Sequence, residues 1–191
     1  MTVTAARDAR REARKAMRKV AAPVAVLTVS HEGRVHGTTV STLVGVSPTE
    51  LIIGVSLRSG SLLGGLAVAA GRFTVNLLSG GQGGLARWFA DRDRPQGPAQ
   101  FAGVPWTSAG GDGAPLIDGA LAHLECRLVR SIPVADHELL LGEVVDAVAG
   151  TGDPLFSFAG DLCAGALRTV PGSGDGTRNS NHRNPMEGTT R

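Results

Sequence analysis

The stretch from His36 to Ser47 constrains the fold more than any other part of this sequence. It reads His-Gly-Thr-Thr-Val-Ser-Thr-Leu-Val-Gly-Val-Ser and lies within what has the apolar pattern of a buried β-strand. A buried hydroxyl without a hydrogen-bond partner costs about 1–3 kcal/mol. The hydroxyls of Thr38, Thr39, Ser41 and Thr42 therefore need partners. Threonine pairs across strands would meet part of this need, and a flat polar ring bound along the row would meet all of it.

Length and composition indicate one domain with terminal extensions. The chain has 191 residues, of which 42% are hydrophobic and 19% charged, as is ordinary for a globular protein. We expect a basic amphipathic helix over 1–20, the main domain over 21–168 and a disordered tail over 169–191. No signal peptide or membrane-spanning run is evident, so a cytoplasmic protein with no membrane contact is expected.

The N-terminal segment carries a large share of the positive charge. Over residues 5–20, alanines recur at helical spacing between the basic side chains of Arg7, Arg10, Arg11, Arg14, Lys15, Arg18 and Lys19. One interpretation is a surface for anionic partners. The interpretation we favour is a solvated face on a helix that packs against the domain. The net charge of only +2 argues against nucleic acid as a partner.

The remainder of the chain has mostly strand patterns. The runs 24–29, 36–47 and 51–57 are joined by short connections, which favours an antiparallel meander. These runs are apolar on both faces, and we attribute this to barrel closure together with a homodimer interface. Further elements are expected as helices over 62–70 (capped by Ser59 or Ser61) and 82–90, strands over 73–78, 120–130, 138–149 and 154–158, and a long, functional or mobile loop over 91–115.

Common catalytic motifs are missing from the sequence. It contains no GxGxxG after a strand, no GxxxxGK[ST], no GxSxG and no HExxH. The histidines have no metal-ligand spacing, and Cys126 and Cys163 stand apart, so no metal site or disulfide framework is indicated. These absences argue against a Rossmann nucleotide site, a P-loop and a metalloenzyme.

A second polar segment runs from Ser56 to Ser61 and contains Leu57, Arg58 and Ser59. An arginine and hydroxyls at the start of a helix form a phosphate site. Pairing of consecutive strands would bring this segment beside Thr38–Thr42, so we expect a ligand with a planar ring and a phosphate tail. The simpler interpretations are helix capping for Ser59 and Ser61, a satisfied strand residue for Asn76 and an ordinary surface residue for His137.

Several short motifs, in order, resemble the flavin reductase-like domain family over about residues 17–167. They are PVAVLT (23–28), HGTTVST (36–42), FTVNLL (73–78), LARWFA (85–90), GALAHLEC (119–126) and ADHELLLGEV (135–144). The resemblance implies a mainly β fold with flanking helices, an antiparallel FMN-binding split β-barrel that forms a homodimer. It also implies an NAD(P)H:flavin oxidoreductase that uses FAD or FMN with NADH or NADPH. Reduced flavin would pass by diffusion to a flavin-dependent monooxygenase.

The resemblance also implies roles for individual residues. Thr39, Val40, Ser41 and Thr42, with Thr38 beside them, would line the isoalloxazine ring. The segment with Ser56, Leu57, Arg58, Ser59 and Ser61 would lie near the ribityl phosphate, and Asn76 near the same pocket. His137 would position the nicotinamide by stacking.

Two positions depart from the family pattern, and two other functions remain open. Ala135 stands where the family has glycine, which restricts the backbone at that turn, and Pro48-Thr49 replaces a longer proline-rich loop. A pyridoxamine-phosphate-oxidase-type enzyme would turn over without NAD(P)H. A non-catalytic flavin-binding or redox-sensing module would retain flavin without oxidising NADH.

Overall fold

A computed structural model of the chain describes residues 3–110, 113–168 and 170. The expected disordered tail lies, apart from residue 170, outside the described residues. The helices are α1 (Val3–Met17), α2 (Leu62–Ala70) and α3 (Gly83–Ala90), with 3₁₀ turns at Gly80–Gln82 and Gly97–Phe101. The strands are β1 (Ala22–Pro23), β2 (Ala25–His31), β3 (Arg34–Val40), β4 (Val44–Ser47), β5 (Ile52–Arg58), β6 (Arg72–Leu77), β7 (Trp106–Ser108), β8 (Pro115–Ile117), β9 (Ala122–Val134), β10 (His137–Ala149), β11 (Leu155–Phe158) and β12 (Asp161–Ala164).

Within the described part of the chain, a seven-stranded antiparallel sheet forms the body of the fold. Its strand order is β3-β2-β6-β9-β10-β5-β4, so β3 and β4 are its two edges. Smaller sheets, β1-β11-β12 and β7-β8, flank it. The mainly β fold with a few helices is therefore as expected, but the strand pairings among the described residues do not close the sheet into a ring.

The structure corrects the prediction of one continuous strand over 36–47 and of a three-strand meander. The hydroxyl-rich stretch is divided between β3 and β4, and Ser41–Leu43 connects them across the two edges of the sheet. Consequently β3 pairs with β2, whereas β5 pairs with β4 and β10. Ser41 and Thr42 are exposed, so their backbone can leave the sheet without burying unpaired polar groups.

The hairpin between β9 and β10 is tighter than the sequence indicated. Pro133 and His137 lie within the strands, and only Ala135 and Asp136 form the connection. Ala135 has a φ of 52°, in the left-handed region that glycine adopts at little cost. The alanine at this position therefore accepts backbone strain of about 1–2 kcal/mol, which the surrounding strand pairing must offset.

Helix α2 agrees with its prediction in extent and in both ends. The Ser61 side chain caps it by accepting a hydrogen bond from the Gly64 N–H at 3.2 Å. Gly71 ends it with a φ of 64°. The helix packs against β2 over a core that includes Leu27, Leu63, Leu66, Phe73 and Leu140. This packing fixes the start of α2 beside the end of β5.

A second core lies on the opposite face of β2. Val24 and Val26 pack there with Phe89 of α3 and Phe101 of the second 3₁₀ turn. The apolar character of β2 on both faces thus arises from two internal cores. A subunit interface is not needed to explain this strand.

Helix α1 does not pack against the domain, contrary to the favoured interpretation. Its side chains, where described, are exposed from Ala5 through the last turn. The contact with the body comes just after the helix, where the Ala159 N–H donates to the Arg18 carbonyl at 2.8 Å. Lys19 Nζ lies 5.7 Å from the centre of the Phe158 ring.

Gly37 of β3 allows the second core to approach the sheet edge. A Cβ atom there would lie 2.9 Å from Cε1 of Phe89 and 3.2 Å from Cζ of Phe101. We predict that Gly37→Ala lowers the free energy of unfolding by about 1–3 kcal/mol, because both rings are buried and would have to move. Urea denaturation measures this loss. Gly45→Ala, whose added Cβ meets nothing within 4 Å, is the matched control, and equal effects of both substitutions would contradict the prediction.

Candidate functional site

A cavity of about 610 Å³ lies where the ends of β3 and β5 meet the start of α2 and the segment after α3. Its lining consists of Thr38, Thr39, Val40, Ser41, Thr42, Ser56, Leu57, Arg58, Ser61, Ala90, Arg92 and Arg94. The lining contains arginines and hydroxyls and no carboxylate. Such a wall favours an anionic, hydrogen-bonding ligand.

Thr42 joins the two polar segments. Its hydroxyl donates to the Ser56 carbonyl at 2.8 Å and accepts from the Ser56 N–H at 3.1 Å. The two segments therefore meet, as predicted, but through this side chain rather than through pairing of their strands. Because Thr42 occupies both backbone groups of Ser56, those groups are not free for a ligand.

Some of the other hydroxyls that line the cavity are hydrogen-bonded to the protein and others are not. Thr39 donates to the Ala86 carbonyl at 2.7 Å, which ties β3 to α3. Within the described residues, the hydroxyls of Thr38, Ser41 and Ser56 have no hydrogen-bond partner in the protein. These three hydroxyls are therefore available to a bound molecule.

The start of α2 forms the second part of the cavity. Arg58 ends β5, and the hydroxyl of Ser61 accepts from the helix backbone, leaving its own proton free to donate. Ser59 is exposed and lies outside the lining, although its N–H holds the Asp136 carbonyl at 3.0 Å. The positive charge of Arg58 next to a helix N-terminus suits a phosphate group.

His137 lies beside the cavity rather than within its lining. It pairs in register with Arg58 across β10 and β5. Its Nδ1 is 2.9 Å from the Asp136 carboxylate, and this hydrogen bond holds the pKa of Asp136 below its usual value. The imidazole is part-exposed, so an incoming molecule can reach it.

The structure places Asn76 away from the cavity. Asn76 is fully buried in β6, where its Nδ2 contacts the carbonyls of Val26 (3.1 Å) and Pro115 (3.2 Å). Its Oδ1 accepts from the Ile117 N–H at 2.7 Å. These bonds use both polar atoms of the Asn76 side chain, which joins β6 to β8 and has no polar atom free for a ligand in the cavity.

Sequence reasoning missed Arg92 and Arg94, which lie in the loop expected only to be functional or mobile. Arg94 Nη2 donates to the Gly37 carbonyl at 2.6 Å, and Nη1 donates to the Asp91 carbonyl. Its Nε is buried and has no partner among the described residues. Burial lowers the pKa of Arg94 from its ordinary value. The loop's length was the only signal in the sequence.

Gln100 fixes this loop against the edge of β3. The fully buried amide accepts from the Gly37 N–H at 3.0 Å through Oε1 and donates to the Gly97 carbonyl at 3.0 Å. Its Nε2 also lies 3.2 Å from His36 Nδ1. An amide nitrogen only donates, so this contact is satisfied when His36 is neutral with its proton on Nε2. Burial, and then the nearby charge of Arg94, lower the pKa of His36 to about 4.

Comparison with known proteins identifies the family of the chain. Residues 17–166 match the flavin reductase like domain. The chain belongs to this family. An NADPH-flavin oxidoreductase of Streptomyces viridifaciens is 44% identical over 153 residues, covering 80% of this chain and 79% of that protein.

Solved structures of flavin reductases have the same fold. The flavin reductase component of a bacterial two-component tryptophan halogenase aligns with a TM-score of 0.76 at 30% identity, covering 83% of this chain and 99% of that one. The NADH:FAD oxidoreductase SgcE6 of Streptomyces globisporus, in complex with NAD and FAD fragments, aligns with a TM-score of 0.73 at 29% identity, covering 86% and 95%.

The described residues include no group of three or more His, Cys, Asp or Glu side chains placed to hold a metal ion. None of the described helices combines the length and apolarity that crossing a membrane requires.

The buried His36 predicts an acid-dependent loss of stability. The unfolded chain takes up a proton at His36 near pH 6.5, but the folded chain does so only near pH 4. Since the unfolded state binds more protons in this window, the free energy of unfolding falls as the pH falls through it.

We therefore expect the stability difference between the wild type and His36→Gln to shift against the wild type between about pH 7 and about pH 4.5. Urea denaturation at several pH values measures it, and acid effects from other groups cancel in the difference. A difference that stays constant across this range would contradict the assignment.

Proposed function

We propose that this protein is an NAD(P)H:flavin oxidoreductase that reduces free FAD or FMN. The observation that carries the proposal is the cavity, which combines three arginines and free hydroxyls with no carboxylate. Membership of the flavin reductase-like family supports the same conclusion. We assign the activity to the domain formed by residues 21–168. We also propose that the protein is cytoplasmic, where NAD(P)H is supplied.

The residues present fit a flavin. Thr38 and Ser41 on the β3 side offer unused hydroxyls to the polar edge of a ring, and Val40 offers an apolar surface. Arg58 and Ser61 at the start of α2 would hold the phosphate. Ser59 and Leu57 support that end of the site. Asn76 is left out of the proposed contacts because its polar atoms are already bonded to the protein.

The chemistry requires positioning more than acid–base groups. A bound flavin accepts a hydride from the nicotinamide, and the protein's task is to hold and orient the two rings. Thr38, Val40 and Ser41 would orient one ring against the β3 wall. His137, fixed by its bond to Asp136, would position the nicotinamide at the open side.

Relatives support the choice of cofactors and partner. Named relatives include an NADH-dependent FAD reductase of Streptomyces globisporus and the reductase component of a Rhodococcus opacus 4-nitrophenol monooxygenase. We propose by analogy that reduced flavin leaves this protein by diffusion to a flavin-dependent monooxygenase. The cavity's open position at the sheet ends is compatible with flavin exchange.

The assay for the proposal is NADH and NADPH oxidation with riboflavin, FMN, FAD or no flavin added. We expect turnover that depends on added flavin. Retention of flavin without turnover would favour a binding module instead, and oxidation of a phosphorylated amine without NAD(P)H would favour a pyridoxamine-phosphate-oxidase-type enzyme. Either result would contradict the reductase assignment.

Arg58 gives a sharper test of the phosphate site. We predict that Arg58→Gln raises the KM for FMN and FAD about tenfold or more, since hydrogen bonds to charged groups contribute about 1.5–3 kcal/mol. The KM for riboflavin, which has no phosphate, should change little. Arg34→Gln, at the exposed far end of β3, is the control. An equal effect of Arg58→Gln on all three flavins would exclude a phosphate contact.

We also propose a split barrel and a homodimer. The link Ser41–Leu43 joins the two edge strands β3 and β4, and the Thr42–Ser56 bonds hold this link against β5, which supports an incompletely closed barrel. On the outer face of the main sheet, the side chains of Val44, Val46 and Leu139 surround the position that a Cβ atom on Gly54 would occupy. Val44 and Val46 are 53% and 51% exposed. Exposed apolar groups clustered on one face support a subunit interface there.

A charge placed on this face tests the dimer. We expect the wild type to sediment as a dimer and Val46→Glu to sediment as a monomer, because the carboxylate would lose its hydration at the interface. Val68→Glu, at a valine of α2 that is 50% exposed, is the matched control. A monomeric wild type, or a Val46→Glu variant that stays dimeric at micromolar concentration, would overturn the proposed interface.

A further inference from the structure

Arg94 is the cation of the cavity that the protein holds most firmly. Both of its terminal nitrogens donate to backbone carbonyls, those of Gly37 and Asp91. The first of these bonds joins the loop after α3 to the edge of β3 at the buried Gly37. The guanidinium is thus fixed at the wall formed by Thr38, Thr39 and Val40.

Arg94 makes no direct ion pair among the described residues, and the charge of Asp91, which acts on it from beyond 4 Å, only partly offsets the lowering of its pKa by burial. Among the described residues, no carboxylate oxygen lies within 4 Å of its guanidinium nitrogens. Neutral carbonyls take two of its N–H groups, and the buried Nε takes none. A partly buried charge usually has an opposite charge as its partner. Since Arg94 lines the cavity and its buried Nε is unpartnered, the guanidinium can take a direct anionic partner from a ligand.

We infer that Arg94 strengthens the binding of the reduced, anionic flavin ring relative to the oxidised ring, and so raises the midpoint potential of the bound flavin. This inference rests on the proposed function. Two-electron reduction places negative charge on the N1–O2 side of the ring system, and a fixed cation near those atoms favours that form.

The ring, rather than the phosphate, is the partner that the placement favours. The start of α2 with Arg58 and Ser61 already forms an anion site at one part of the cavity. Arg94 instead is bonded to Gly37 of β3, the strand whose Thr38–Val40 segment is proposed to line the ring. A second cation at this wall complements charge that arises in the ring itself.

The test is equilibrium binding of riboflavin, FMN and FAD, each oxidised and, without oxygen, reduced. For Arg94→Gln we expect affinity for all three reduced flavins to fall about tenfold more than affinity for the oxidised forms. A tenfold change in this ratio lowers the midpoint potential of the bound flavin by about 30 mV for a two-electron couple. Arg34→Gln, an exposed arginine on the same strand, is the control and should leave the ratio unchanged.

Other outcomes would overturn the inference in distinguishable ways. A loss confined to FMN and FAD in both redox states would identify a phosphate contact. An equal loss for all flavins in both states would identify a purely structural role at the β3 edge. If the wild type binds no flavin, the proposed function fails as well.

Arg94→Lys provides a second test if Arg94→Gln does not fold. Lysine keeps the charge but cannot reproduce the two-pronged contact with both carbonyls. We expect this variant to lose thermal stability and yet keep a preference for reduced flavin. A variant that folds and binds flavin without that preference would contradict the inference.

Discussion

The buried amide of Gln100 is the interaction on which the arrangement of the cavity depends. Strand β3 is an edge of the main sheet, so its outward N–H and C=O groups have no neighbouring strand. Gln100 accepts a hydrogen bond from the Gly37 N–H, and Arg94 donates one to the Gly37 carbonyl. Side chains of one loop thereby replace a missing strand at this position. Without this cover the edge would expose unpaired groups that invite pairing with another chain.

The same contacts connect packing to electrostatics. Because Gly37 has no side chain, Phe89 and Phe101 can pack directly over β3. Phe101 follows Gln100 in the chain, so this packing also holds Gln100 and its loop in place. The loop in turn holds a cation at the cavity wall and keeps His36 neutral beside it. Core packing on one side of the strand therefore determines the charge presented on the cavity side.

The sequence predicted correctly those elements whose ends depend on residues close in the chain, such as capping serines and terminal glycines. Helix α2 begins at the Ser61 cap and ends at Gly71, and both ends could be identified from neighbouring residues alone. The sequence also indicated that the two polar segments meet. It could not indicate that Arg94 bonds to Gly37 of β3 and so lines the cavity, because that contact spans 57 positions and depends on the fold of the intervening loop. The bonds of the Asn76 side chain could not be identified from the sequence for a similar reason, since its partners lie up to 50 positions away.

The link Ser41–Leu43 has a consequence for how this sequence can vary in length. It is a three-residue connection between the two opposite edges of the sheet, and Ser41 and Thr42 also line the cavity. Surface loops usually tolerate insertions because little depends on their span. Here one added residue would displace both edge strands and reshape the cavity at once. The segment is exposed and resembles an ordinary turn. Cutting the chain there to create new termini, as in a circular permutant, would nevertheless interrupt the lining of the cavity.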